Sequence, residues 1–189
     1  AAGNEERPIG LCLFGIPSGS PVFALQELLG DSGFLTLTMS GIPNFAHRFC
    51  RRNCKPEHLA VGSFGPDLGP RGATHCEVHH RSCQAAPLID EDVFVASFSC
   101  ATFLNRNPER SKHSCFDDPR SLPYWRIRRH IEVRKPKLGV LEVPDFDEIP
   151  TSSRTNVLGF ILEGADMRPG SNTSWGLKLI AGYGIAVYD

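Results

Sequence analysis

The sequence predicts a single α/β domain over residues 1–189, with a mostly parallel sheet covered by helices on both faces. Short apolar runs typical of buried strands alternate with segments whose apolar residues recur at helical spacing. The length of 189 residues suits one compact domain with its own core. The chain carries no internal repeat and no low-complexity tract.

The first strand and helix predict a ligand-facing loop. Residues 9–14 form an apolar strand, and a loop rich in Gly, Pro and Ser follows at residues 15–21. Residues 22–29 have helical spacing, and Pro21 suits the first helical turn. In such an arrangement, free backbone N–H groups and a helix N-terminus face a ligand.

The second unit predicts a strand over residues 34–39 and a helix over residues 44–52 that Asn44 caps. Residues 53–88 are rich in Gly, Pro and His and predict a loop, in which residues 59–61 are the one candidate short strand.

The remaining elements complete the alternation. Residues 92–98 predict a buried strand, and residues 118–121 open a helix with Tyr124, Trp125, Ile127 and Ile131 on one face. Further strands are predicted at residues 137–141 and 184–188, and further helices at residues 156–164 and 174–181.

Two strands end at residues that can do chemistry. The strand at residues 92–98 breaks into Ser99 and Cys100, and the run at residues 138–141 ends at Glu142. Ligands collect outside the carboxyl ends of strands in open α/β sheets, so this thiol and this carboxyl are expected at one edge. A nucleophile beside a proton donor predicts an enzyme. The alternatives are a buried structural thiol and a solvated strand-end carboxylate.

Charge and cysteine usage limit the partners and the compartment. A net charge of −1 and a pI near 6.7 exclude a uniformly basic nucleic-acid coat, so a polyanion has to meet a local basic patch. The basic run at residues 126–137 interleaves with apolar residues, which favours a solvated helix face. The seven cysteines form no regular framework and the chain has no signal-peptide pattern, which predicts an intracellular protein, nuclear or cytoplasmic. There is no apolar run of about 20 residues, so no membrane contact is expected.

Residues 50–83 raise the question of zinc. Thiol and imidazole groups in numbers sufficient for tetrahedral coordination lie at Cys50, Cys54, Cys76, His79, His80 and Cys83. The spacing fits no standard finger. The sequence therefore favours ordinary surface residues without a metal.

In the order of its motifs, the chain resembles the DNA (cytosine-5) methyltransferases over most of its length. The family's first block, an apolar strand followed by Leu-Phe-Ser-Gly-Ile-Gly-Gly, is similar to Leu13-Phe14-Gly15-Ile16-Pro17-Ser18-Gly19-Ser20. Its nucleophile block is similar to residues 92–103. The helix after its second strand is similar to residues 44–53. Its catalytic loop and the helix that follows are similar to residues 105–125, and its Glu-Asn-Val block is similar to residues 141–144.

The resemblance implies a Rossmann-like S-adenosylmethionine-dependent methyltransferase fold and methyl transfer from S-adenosyl-L-methionine to cytosine C5 in DNA. Cys100 would add to C6 of a flipped-out cytosine, and Glu142 would hydrogen-bond the N3 side of the ring. The implied cofactor residues are Phe14, Gly15, Ile16, Ser18 and Gly19. The implied DNA-binding residues are Arg106, Arg110 and Lys112.

The sequence departs from the family at working positions. Ser99 and Ala101 replace the Pro and Gln that flank the nucleophile. Gly41 and Pro43 stand about where the family has carboxylates, one of which usually holds the cofactor ribose. The Asn after Glu142 is missing, and no arginine motif or target-recognition region follows. The resemblance thus implies a fold incomplete at its C-terminus, whose open sheet edge needs a missing C-terminal segment or a partner subunit. The competing hypothesis is a catalytically inactive methyltransferase-fold module with a structural or interaction role.

Overall fold

The structure is a computed structural model that describes residues 7–60, 73–84, 91–99, 102, 116–143, 177–180 and 183–188. The strands within these residues are β1 (Ile9–Phe14), β2 (Phe34–Ser40), β3 (His58–Leu59), β4 (Ala73–Cys76), β5 (Arg81–Gln84), β6 (Val93–Ser97), β7 (Leu138–Val143), β8 (Leu177–Ile180) and β9 (Tyr183–Tyr188). The helices are α1 (Ser20–Leu29), α2 (Asn44–Asn53) and α3 (Leu122–Arg134), with a 3-10 turn at Pro119–Ser121 before α3.

Seven strands form one sheet in the order β3-β2-β1-β6-β7-β9-β8, and β4 pairs with β5 in a separate hairpin. The five strands from β3 to β7 are parallel, whereas β9 runs antiparallel to both β7 and β8. The chain winds outward from β1 through β2 to β3, then returns to the centre and winds the other way from β6 to β7. The predicted α/β class with a mostly parallel sheet is confirmed.

Helices lie on both faces of this sheet. Strand–helix–strand crossovers are right-handed, so two halves that wind in opposite directions place α1 and α2 on one face and α3 on the other. The packing agrees with this rule. Leu13 of β1 belongs to the core cluster that includes Val22 of α1 and Cys50 of α2. On the opposite face, the Phe94 ring stacks on His130 of α3 with a centroid distance of 4.3 Å.

The start of α2 corrects the expected cap. Pro43, in extended backbone at φ −61° and ψ 145°, is the capping residue, and Asn44 is the first helical residue. No side-chain hydrogen bond caps this helix. The Pro43 carbonyl accepts from the Ala46 N–H at 2.9 Å, so a restricted proline φ sets the helix start.

Two secondary-structure predictions are wrong. The segment expected as loop over residues 53–88 contains β4 and β5, whose polar residues gave no apolar signal, whereas β3 overlaps the short strand predicted at residues 59–61. The helix expected over residues 174–181 contains strand β8, because a short apolar run does not distinguish helix from strand by periodicity. Only residues 181 and 182 separate β8 from its antiparallel partner β9. The helix predicted at residues 156–164 lies outside the described residues.

Asp92 links three strands at the end of the sheet where those strands begin. Its carboxylate accepts hydrogen bonds from Lys137 Nζ at 2.7 Å, from the Gly10 N–H at 2.8 Å and from Arg7 Nη2 at 2.8 Å. Burial opposes ionisation, but these three donors together lower the pKa of Asp92 below its ordinary value. The carboxylate therefore holds β1, β6 and β7 in register where they begin.

No helix among the described residues is both long enough and apolar enough to cross a bilayer.

Candidate functional site

The carboxyl ends of β1, β2 and β6 converge on Gly15. Its N–H donates to the Ser40 carbonyl at 2.9 Å, which joins the end of β1 to the end of β2. Its φ is +70°, and a Cβ at this position would lie 2.3 Å from the Ser97 carbonyl oxygen at the end of β6. Only glycine fits so close to a backbone carbonyl in this conformation. The loop after β1 thus lies at the point where the winding of the sheet reverses, which is where open α/β sheets bind ligands.

The five residues expected to hold the cofactor lie at the end of β1 and in the loop that follows it, but they differ in exposure. The side chains of Phe14 and Ile16 are buried, so they support the loop from below. Ser18 is exposed, and Gly19 is the N-cap of α1 in the left-handed conformation. The surface that the loop offers a ligand is therefore formed by Gly15, Ser18 and the start of α1.

Several N–H groups of this loop are already hydrogen-bonded within the protein. The Gly19 N–H donates to the Ile16 carbonyl at 3.2 Å, and the Ser20 N–H contacts Ser18 Oγ at 3.4 Å. Among the described residues, the N–H groups of Ile16 and Ser18 have no acceptor, and Pro21 supplies none. The loop keeps fewer donors for an anionic or polar ligand than an unobstructed helix N-terminus would.

Two thiols from α2 and its end pack beneath this loop. The Cys50 thiol donates to the Pro17 carbonyl at 3.4 Å, and a Cβ at Gly19 would lie 2.3 Å from Cys54 Sγ. Burial, with the neighbouring Cys50 adding to it, raises the pKa of Cys54 to about 11. Burial also raises the pKa of Cys50. These thiols are therefore neutral packing groups that set the shape of the loop, not nucleophiles.

Glu142 lies beside the end of β6. In the parallel ladder of β6 and β7, Glu142 is the register partner of Ser97. Its side chain is exposed, whereas the preceding Leu141 is fully buried, so alternation along β7 places the carboxyl outside the core. The predicted carboxylate is thus accessible at the carboxyl edge of the sheet.

Cys100 itself lies outside the described residues, as do Arg106, Arg110 and Lys112. Two residues near Cys100 in the sequence are buried, since Phe98 is 4% exposed and Thr102 is 1% exposed. The Phe98 ring also packs edge-on against Tyr124 of α3 at 5.5 Å. Cys100 follows Ser97, the register partner of Glu142, by three residues in the sequence.

The end of β2 lacks a carboxylate. Ser40 ends the strand and donates through its hydroxyl to the Leu13 carbonyl at 3.4 Å. Gly41 follows at φ +64°, with the Phe14 ring 2.9 Å from the place a Cβ would occupy. The usual acidic partner of a cofactor ribose is absent from this position.

The basic run along α3 pairs with neighbouring acids. Glu132 accepts hydrogen bonds from Arg128 at 2.9 Å and from Arg129 at 3.3 Å, and the Arg128 guanidinium lies over the Trp125 ring at 5.6 Å. These contacts agree with the interpretation of this run as a solvated helix face.

A second cluster of reactive side chains lies beside β3, an edge strand of the main sheet. Ligand atoms from four residues all lie within 4.8 Å of one another: His58, Cys76, His79 and Cys83. The sequence offers Cys76, His79 and Cys83 as possible ligands. It groups them with Cys50 and Cys54, which instead lie under the loop after β1. It missed His58, which lies 18 residues before Cys76. A signal existed, since His58 directly precedes the short strand predicted at residues 59–61.

Comparison of the chain with models of known protein families gave no match, and no curated protein matches it.

Proposed function

We propose that this chain is a DNA (cytosine-5) methyltransferase-like domain on a Rossmann-like, S-adenosylmethionine-dependent methyltransferase fold. The observation that carries the proposal is the register of β6 and β7. It pairs Ser97 with Glu142, and Cys100 follows three residues later. In this proposal the thiol of Cys100 acts at the same edge as the exposed carboxyl of Glu142, next to the glycine loop after β1.

The sheet order supports a nucleotide-type cofactor at this edge. The strands β3, β2, β1, β6 and β7 lie in the order that a dinucleotide-binding sheet uses for its first five strands, and the loop after the first strand takes the phosphate or sugar of the ligand there. Here that loop holds Gly15 and Gly19 at positive φ, which lets it pack closely on the Ser97 carbonyl and on Cys54 Sγ while Ser18 stays exposed. S-adenosylmethionine would lie against Ser18 and the start of α1.

The proposed chemistry divides between the two side chains. Cytosine C5 is a poor nucleophile, so the Cys100 thiolate adds to C6 and the ring electrons become available at C5. S-adenosylmethionine, when bound, would supply the methyl group: its sulfonium–methyl bond would break as the C5–methyl bond forms, which would leave S-adenosylhomocysteine. Loss of the C5 proton to a base then expels the thiolate and restores the ring. Throughout, Glu142 hydrogen-bonds the N3 side of the ring and stabilises the charge that addition creates.

The target base has to leave the duplex to reach this edge, because C6 is inaccessible inside stacked DNA. Arg106, Arg110 and Lys112 follow the Cys100 segment and are assigned to phosphate contacts, which position the strand without reading its sequence.

Trapping with a DNA duplex that contains 5-fluorocytosine tests the proposal. Fluorine cannot leave C5 as a proton does, so the adduct persists and migrates slowly on a denaturing gel. We expect an adduct with the wild-type chain in the presence of S-adenosylmethionine and none with Cys100→Ala. Glu142→Gln should slow trapping by about 10²–10⁴-fold, whereas the matched control Glu27→Gln, on the exposed face of α1, should trap like wild type. An adduct that survives Cys100→Ala contradicts the proposal.

A second candidate function is a catalytically inactive module with a structural or interaction role. Gly41 in place of an acid at the end of β2, together with the internally bonded N–H groups of Gly19 and Ser20, favours it. Calorimetric titration and thermal melting with S-adenosylmethionine distinguish the two functions. A ligand present at 100 times its Kd stabilises by about 2.7 kcal/mol, or about 5–11 °C at this chain length. Neither heat nor a melting shift at millimolar ligand favours the inactive module.

A further inference from the structure

The cluster formed by His58, Cys76, His79 and Cys83, here called the hairpin cluster, has the dimensions of a metal site. Cys76 Sγ lies 3.4 Å from His79 Nδ1 and 3.9 Å from His58 Nδ1, and Cys83 Sγ lies 3.4 Å from His79 Nδ1. In tetrahedral zinc with Zn–S about 2.3 Å and Zn–N about 2.0–2.1 Å, sulfur and nitrogen ligands lie about 3.5–3.6 Å apart. The observed separations bracket that value.

Hydrogen bonding alone does not account for this arrangement. A neutral imidazole offers one lone pair, so His79 Nδ1 cannot accept hydrogen bonds from both thiols at once. Both sulfurs nevertheless lie at the same 3.4 Å from this nitrogen, and a second imidazole approaches Cys76. Two thiols and two imidazoles whose ligand atoms lie within 4.8 Å of one another are a ligand set that suits zinc.

Two separate parts of the chain build the hairpin cluster. Cys76 ends β4, His79 lies in the four-residue turn and Cys83 lies in β5, which gives the spacing Cys-x2-His-x3-Cys. His58 comes from β3, the edge strand of the main sheet. Leu59, the next residue of β3, is fully buried, so alternation directs His58 to the opposite side.

Backbone contacts hold the hairpin against β3. Ala60 forms an antiparallel bridge with Cys76, and the Glu77 N–H donates to the Leu59 carbonyl at 2.8 Å. In the turn, the His80 N–H donates to the Cys76 carbonyl at 2.8 Å. These contacts preorganise ligands that lie 18 residues apart in sequence.

We propose that the hairpin cluster binds one structural zinc ion through two thiolates and two imidazoles. Four protein ligands complete a tetrahedron and leave no open position for substrate, which is typical of structural rather than catalytic zinc. An isolated two-stranded hairpin is marginally stable in water. The β4–β5 hairpin has only four residues in each strand. A metal that links it to β3 would add to the stability that its backbone hydrogen bonds provide. This inference does not depend on the proposed methyl transfer.

Elemental analysis of the purified chain tests the proposal. The chain is prepared without a polyhistidine tag, loaded with zinc under reducing conditions and dialysed. We expect about one zinc per chain. Cys76→Ser and His79→Ala should each weaken zinc binding by more than about 100-fold, the upper range for loss of a residue that only supports a ligand. The matched controls His75→Ala and His80→Asn change exposed imidazoles of the same hairpin that lie outside the cluster, and both should retain the metal.

Cobalt substitution gives a readout on the unchanged chain. Co²⁺ in a two-sulfur, two-nitrogen tetrahedral site should give intense visible absorption and a thiolate-to-metal band in the near ultraviolet, which Cys83→Ser should weaken. The proposal is overturned if the reconstituted chain retains no zinc, if it holds an iron–sulfur chromophore instead, or if Cys76→Ser and His79→Ala retain as much zinc as the two controls.

Discussion

Gly15→Ala tests whether the convergence of three strand ends on Gly15 shapes the site. The substitution costs about 1–2 kcal/mol for a left-handed backbone at a residue with a side chain. It also places a methyl group 2.3 Å from the Ser97 carbonyl oxygen, closer than the 3.0 Å below which real Cβ atoms essentially never come. Relieving such overpacking costs about 1–3 kcal/mol more. We expect a total loss of about 2–5 kcal/mol in the free energy of unfolding.

Gly30→Ala is the matched control. Gly30 also has a positive φ, of +72°, but nothing lies within 4 Å of the place its Cβ would occupy. It should lose only the strain of its backbone conformation, about 1–3 kcal/mol. Urea unfolding followed by circular dichroism compares the two variants. The reasoning is refuted if Gly15→Ala is as stable as wild type.

Three further predictions concern the rest of the fold. Asp92→Asn should cost about 1–3 kcal/mol near neutral pH, because charge-assisted hydrogen bonds are lost. The pKa of Asp92 is lower in the folded protein than its ordinary value of 3.8, so the stability that its carboxylate contributes is present above pH 3.8. That stability is lost as pH falls through the lower folded-state pKa. Asp92→Asn should therefore lose less stability than wild type in an acid titration over this range. Leu13→Ala, at a fully buried position, should cost about 2–5 kcal/mol, whereas Leu28→Ala, 77% exposed, should stay within about 0.5 kcal/mol of wild type by chemical denaturation. Chelation of zinc should lower the melting temperature by at least about 5 °C, the stabilisation expected at 100 times the Kd, and added zinc should restore it.

Strands buried on both faces could be predicted from the sequence. β1, β2, β6 and β7 are apolar runs bounded by Gly, Pro or charged residues, and the structure places all four in the parallel part of the sheet. The apolar face of α3 was also readable, since Tyr124, Ile127 and Ile131 are buried. A strand or helix can be identified from the sequence when burial fixes the spacing of its apolar residues.

Elements held by polar contacts or by distant pairing could not be predicted in this way. β4 and β5 consist largely of Ala, Thr, His, Cys, Arg, Ser and Gln, and their pairing depends on each other and on β3. The Leu-Lys-Leu-Ile run of β8 suits a helix equally well, and its antiparallel partner β9 decides the outcome. His58 was missed as a ligand because its proximity to Cys76 arises only when β3 and the hairpin meet.

Only part of the candidate site could be predicted from the sequence. The position of the glycine loop and the placement of Glu142 beside the end of β6 follow from strand ends, which the sequence marks. The exposure of each loop residue does not, because it depends on Cys50 and Cys54 packing from α2. The role of Cys100 stays a prediction.

Mass-spectrometric mapping of the peptide that carries the 5-fluorocytosine adduct tests the central claim most directly. If the thiol after β6 is the nucleophile opposite Glu142, the nucleotide mass is found on the peptide that contains Cys100 and on no other cysteine peptide. Attachment at Cys12, Cys50 or Cys54, or no modified peptide after incubation with DNA and S-adenosylmethionine, contradicts the account.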